Sequence, residues 1–118
     1  MKEKYGKIQY KDNEFLLVFN INVMENIQEE YGTIDKWSEL CQPSDGAEAN
    51  AKAIKFGITE MINEGIDIKN EEDGTDIKPF TQKQIGRMIT EIGLENMAKK
   101  MEHTISESVK AGDESKNA

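Results

Sequence analysis

Five apolar residues in a row, Phe15-Leu16-Leu17-Val18-Phe19, stand in a chain that is otherwise wet: 32% of its 118 residues are charged and its mean hydropathy is -0.70. Aromatic and branched residues of this kind favour a β-strand, and a strand sends alternate side chains to opposite faces, so the run carries apolar groups on both. Burying each is worth roughly 1.5–3 kcal/mol, and leaving two of them in water forfeits several. The strand therefore favours a second layer of protein or self-association. Phe15, Leu16, Leu17, Val18 and Phe19 are accordingly the candidate protein-binding residues, acting through Leu16 and Val18 or through Phe15, Leu17 and Phe19, depending on which face the helices take.

The flanking sequence predicts how that strand is paired and covered. Lys4 to Tyr10 alternates through Ile8 and Tyr10, and Lys11-Asp12-Asn13-Glu14 supplies Asp and Asn that tolerate a tight turn, so the N-terminal region reads as an antiparallel hairpin. Asn22 is placed to cap a helix, with Glu25 at its third position and Val23, Met24, Ile27 and Tyr31 on one face, ending at Gly32. Thr33 opens a second amphipathic stretch through Ile34, Trp37, Leu40 and Cys41 before Pro43. After a loop at Gln42 to Gly46, Ala47, Ala51, Ile54, Ile58, Met61 and Ile62 line a long helix. Beside them Ala49, Ala53 and Gly57 form a strip of small residues where another element can approach closely.

Residues 65–78 are polar around Asn70-Glu71-Glu72-Asp73-Gly74 and fit either a mobile loop or a short ribbon. Thr81 caps the next helix, with Gln84 closing the box and Phe80 stapled on Ile85; Ile85, Met88, Ile89 and Ile92 face inward up to Gly93. A last helix runs from Leu94 to Val109 through Met97, Met101 and Ile105, and 111–118 reads as a disordered polar tail. The fold class expected is α+β: one domain over residues 1–110, with an N-terminal antiparallel β-hairpin packed against four or five α-helices.

Charge and chemistry narrow the function. Fifteen basic residues against 23 acidic ones give a net charge of -8, which repels phosphate backbones and anionic lipid, so neither nucleic acid nor a membrane is expected as a partner. No apolar stretch approaches the roughly 20 residues that span a bilayer, and no apolar signal region follows Met1-Lys2-Glu3-Lys4, so a cytoplasmic protein is expected. One cysteine, Cys41, and one histidine, His103, leave no internal disulfide and no Cys/His zinc set. Cys41 reads as a buried thiol and His103 as an exposed imidazole. Setting Gly74 at the invariant glycine of a calcium loop puts Lys69 and Phe80 at the first and last ligand positions, where neither can serve. The carboxylate pairs Glu29-Glu30 and Glu71-Glu72 read as a solvated helix surface and a polar loop and not as an acid-base pair. No catalytic residue, metal or cofactor is assigned, and a non-enzyme is expected. The methionines 24, 61, 88, 97 and 101 read as core, with an adaptable client groove as the alternative.

The segment from Phe15 to Gly32 resembles the start of the tail assembly chaperones of long-tailed phages, prophages and gene-transfer agents. The matching residues are Asn22, Val23, Met24, Ile27, Glu29, Glu30, Tyr31 and Gly32. The later order is similar too: a short segment with Trp37 and Leu40, a central helix with Ala53 to Gly57, a Pro79-Phe80-Thr81 helix start and a closing helix. The acidic stretch from Asp67 to Asp76 is longer than the connection typical of that family. The resemblance implies a non-catalytic protein of the host cytoplasm that binds the tape measure protein and helps tail tube protein subunits assemble around it. It also implies absence from the mature virion and, in many members, a second, frameshifted length. From another class, the alternative is a small acidic regulator or DNA-mimic inhibitor of a host nucleic-acid-binding protein, although acids and lysines are interspersed at Lys99, Lys100, Glu102, Glu107 and Lys110.

Overall fold

The computed structural model describes the backbone of residues 6–117 and the side chains of residues 6–110. Its order is β1 (Gly6–Tyr10), β2 (Asn13–Leu17), α1 (Ile21–Tyr31), α2 (Ile34–Cys41), α3 (Ala51–Asp73), α4 (Gln82–Ile92) and α5 (Leu94–Asn117). This is the α+β arrangement of a hairpin followed by five helices. Lys4 and Tyr5 of the expected first strand lie outside the described residues.

The hairpin closes through a two-residue turn in which Lys11 and Asp12 both have positive φ, 49° and 63°, the handedness that matches strand twist. Tyr10 pairs with Asn13, Ile8 with Phe15 and Gly6 with Leu17. Residues directly opposite share a face, so Ile8, Phe15 and Leu17 point one way, while Lys7, Gln9, Glu14 and Leu16 point the other. The outer face carries a Gln9–Glu14 hydrogen bond of 3.1 Å and a Lys7–Glu14 ion pair of 3.9 Å.

Helix α3 is the element around which the rest is arranged: it touches β2, α1, α2, α4 and α5. Its buried stripe of Ile54, Ile58, Met61, Ile62 and Ile66 meets Ile8, Leu17, Val23, Ile27, Trp37, Ile85, Met88 and Met97 in one core. Where the chain leaves β2, the Val18 N–H donates to the Met61 carbonyl at 3.2 Å, tying strand to helix. Two glycines of α3 allow close approaches. A Cβ on Gly65 would stand 2.6 Å from the Leu16 carbonyl oxygen, and one on Gly57 would run into the Trp37 ring and lie 2.9 Å from Met101 Sδ. The small-residue strip is therefore where α2 docks: Trp37 lies over Gly57 and its Nε1–H donates to the Ala53 carbonyl at 2.9 Å.

Several expectations need correction. Asn20, not Asn22, caps α1, accepting from the Val23 N–H at 3.2 Å, because the chain turns directly after the strand. Asn22 is left to donate to Glu64 instead, at 3.0 Å. Helix α3 starts at Ala51 behind the cap Asn50, so Ala47 and Ala49 belong to the preceding loop. It then runs through residues 65–73, where a loop or ribbon was expected, and stops at Gly74 with φ 68°. Ile66 explains the extension: it is buried at the end of the helical stripe, so the seven further positions, six of them polar, ride on a helix whose packing is already fixed. Helix α5 is continuous to Asn117, so the expected tail over 111–118 has helical backbone from Ala111 to Asn117.

Much of the hairpin run is covered from within the chain: Leu17, Val18 and Phe19 are buried, and Phe15 and Leu16 are half-buried against α3 and the segment before α4. Phe15 meets the Phe80 ring edge-on at a centroid distance of 5.1 Å.

Candidate functional site

The residues singled out in the sequence fall into three places. Phe15 to Phe19 are divided between the core and its margin, leaving only Phe15 and Leu16 with surface to present. Met61, Met88, Met97 and Met101 are buried in the core and Met24 packs at its edge, so the methionines fill the interior and line no open groove. His103, Glu29 and Glu30 are exposed on helix surfaces, and Glu71, Glu72 and Asp73 are exposed at the end of α3.

Cys41 is buried beside Trp37, and burial pushes its thiol up to about 12, well above the range in which a thiolate forms at neutral pH. The Tyr31 hydroxyl is also raised, first by burial and then by Glu30 and Cys41. Tyr31 packs edge-on against Phe56 at 5.5 Å, and Gly32 follows with φ 91°, its N–H donating to the Gln28 carbonyl at 2.8 Å. The Glu-Glu-aromatic-Gly motif therefore has a structural job: the tyrosine anchors the end of α1 to α3, and the glycine supplies a corner that a side chain would strain.

Two surface clefts stand out among the described residues. The first lies between α1 and α3, about 250 Å³ in volume, with Asn22, Asn26, Glu60, Glu64, Asp67 and Pro79 among its walls. Its carboxylates are engaged by amides: Glu64 accepts from Asn20 at 2.7 Å and Asn22 at 3.0 Å, and Glu60 accepts from Asn26 at 2.6 Å. Sequence reading missed this lattice because the partners lie more than 30 positions apart. The second is a groove of about 400 Å³ between the end of α2 and the loop before α3, containing Leu40, Pro43 and Ala47 with Glu39, Asp45 and Glu48.

Among the described residues no group of three or more His, Cys, Asp or Glu side chains is arranged to hold a metal ion, and no helix is long and apolar enough to cross a membrane. Every buried side-chain polar atom among them has a hydrogen-bond partner. Comparison with protein-family models, with curated proteins and with solved structures gave no match.

Proposed function

We propose that the chain is a tail assembly chaperone of the kind found in long-tailed phages: a non-catalytic protein of the bacterial cytoplasm that holds the tape measure protein while tail tube subunits polymerise. The observation that carries this reading is the corner at Tyr31-Gly32. In the sequence it belongs to the segment that resembles those chaperones, and in the fold it is the joint that turns a hairpin-plus-helix unit onto the central helix. The elements after it follow the order that the resemblance implies: a short helix bearing Trp37, the long α3 with Ala53 and Gly57 against that tryptophan, the Thr81-capped α4, and a closing helix.

The client surface draws on what the fold leaves outside. Leu17, Val18 and Phe19 belong to the core, so Phe15 and Leu16 are the members of the hairpin run available to a partner. An acidic regulator that binds a basic nucleic-acid enzyme is the second reading, favoured by Glu60, Glu64 and Asp67 on successive turns of α3.

Salt separates the two. An apolar client complex holds in moderate salt, whereas a complex made by carboxylates weakens steeply as ionic strength rises. The chaperone reading expects a tape measure protein to be encoded beside this chain, and pull-down of that protein across a salt series should show retention. Steep loss with salt, together with loss on Glu60→Lys, would favour the regulator.

A further inference from the structure

The groove beside α2 combines an apolar floor with a rim of a single charge sign. Leu40 projects from the last turn of α2 with 38% of its surface exposed, although its neighbours Trp37 and Cys41 are buried, and Pro43 and Ala47 continue the floor. Glu39, Asp45 and Glu48 stand around it, and no basic side chain lines it. The rim is held in place by its own hydrogen bonds. The Glu39 carboxylate accepts from the Ser44 N–H at 2.8 Å and hydroxyl at 3.0 Å, and Asp45 accepts from the Ala47 N–H at 2.9 Å. The Asn50 N–H closes the loop on the Leu40 carbonyl at 2.8 Å. A loop already fixed in this way has little left to order when something docks, which removes one of the main costs of association.

We propose that this groove is a docking site for a basic amphipathic segment of a partner protein, which sets an apolar side chain on Leu40 and places Lys or Arg against the three carboxylates. Charge decides between occupants. A second copy of this chain would bring a body of net charge -8 against a negative rim, whereas a lysine-flanked apolar segment meets the floor and the rim together. The cleft between α1 and α3 is acidic as well, but its aliphatic wall residue Val23 is buried, so it presents no exposed aliphatic side chain like Leu40, and Glu60 and Glu64 are tied there to Asn26 and to Asn20 and Asn22. Glu48, by contrast, has neither a hydrogen bond nor an ion pair within the described residues. The proposal goes beyond the tail assembly reading and stands without it, since it specifies the chemistry of the partner segment and not which protein carries it.

The test uses the full chain, isotopically labelled, titrated with a synthetic helical peptide of leucines on one face and lysines on the other. A companion peptide carries glutamate in place of lysine. Amide shifts should move at Leu40, Ala47 and Glu48 with the lysine peptide and stay still with the glutamate one. Leu40→Ser and Glu48→Lys change exposed side chains, so both variants should keep the parent circular dichroism spectrum and each weaken binding about fivefold or more, the loss usual for a contact that matters. Glu71→Lys, on the remote end of α3, should leave the affinity unchanged. The proposal is overturned if the shifts map to the α1–α3 cleft or scatter over the surface, if Glu71→Lys weakens binding as much as Glu48→Lys, or if the glutamate peptide binds equally. It is also overturned if the groove resonances shift with protein concentration alone, the sign of a second copy, or if no binding occurs up to about millimolar peptide.

Discussion

Asn63, on α3, makes both hydrogen bonds that the backbone of Phe80 has to offer: its Oδ1 accepts from the Phe80 N–H at 2.8 Å and its Nδ2 donates to the Phe80 carbonyl at 2.9 Å. Two turns further along, Asn70 does the same for Ile77, at 3.0 Å and 2.9 Å. The two amides stand in for a neighbouring strand and hold the segment from Gly74 to Thr81 along the helix it has just left. They thereby set where α4 begins and how Phe80 meets Phe15.

Removing the first of these amides should cost more than removing the second. Asn63 is partly buried, so Asn63→Ala leaves two backbone groups poorly hydrated and should lower stability by about 1–3 kcal/mol. The bonds of Asn70 are exposed, water can replace them, and Asn70→Ala should cost about 1 kcal/mol or less. Urea midpoints for the two variants measure the difference; equal losses would show that the first site is as wet as the second.

Three helical glycines should respond to alanine in opposite directions. Gly57→Ala drives a methyl group into the Trp37 ring and toward Met101, and Gly65→Ala drives one against the Leu16 backbone, so each should lose about 2 kcal/mol after the gain in helix propensity. Gly86, in α4, meets nothing nearer than Lys55 Cδ at 3.5 Å, and Gly86→Ala should gain about 0.5–1 kcal/mol. Thermal unfolding of the three variants would expose an error in the packing if Gly57→Ala proved stabilising.

How much of this was legible in the sequence depended on how local each signal was. The hairpin turn, the Thr33 and Thr81 caps, the Gly32 and Gly93 stops and the inward stripe of α4 are written within a few residues of where they act, and the structure has them. The Ala53-Gly57 strip was legible as a close approach but not as a seat for Trp37, because nothing in the spacing says which element arrives. The end of α3 was misread for the same reason. Asn70 to Gly74 has the polarity of a loop, and only the burial of Ile66 and the side-chain bonds of Asn70 to a segment seven residues on hold it helical. Among the candidate site residues, the apolar run is visible in the sequence, but not that most of its cover comes from within the chain. The α2 groove gave no local signal, because its floor and rim meet only when the 43–50 loop folds back on Leu40.

Cys41 should behave as an inert thiol and as a source of alkaline instability. Its folded-state pKa of about 12 lies above the ordinary 9.0, so the folded form holds the proton more tightly than the unfolded one. The associated stability is complete below about pH 9 and is lost as pH rises through about 12. The raised Tyr31 hydroxyl acts in the same direction from about pH 10 upward. Labelling by a thiol reagent at pH 8 should therefore be slow until denaturant is added, and Cys41→Ala should flatten the fall of stability above pH 9 without abolishing it.

The extended α3 makes a further claim on dynamics. Amide hydrogen exchange should show protection continuing from Gly65 through Asn70, with faster exchange over Thr75 and Asp76, beyond the last helical bond from the Gly74 N–H to the Asn70 carbonyl. Uniformly fast exchange from Gly65 onward would mean that the segment behaves in solution as the loop its composition suggests.

The proposed function expects a tape measure protein to be encoded beside this chain, and its most direct test is that protein's soluble yield, expressed with and without this chain. Long apolar helices expose surfaces that aggregate when nothing covers them. Co-expression should therefore raise the soluble fraction several-fold and give a complex that survives moderate salt, and Leu16→Asp, which alters a half-buried hairpin position, should reduce that effect while the variant remains folded by circular dichroism. An unchanged soluble yield, with no complex recovered at low salt, would contradict the chaperone reading.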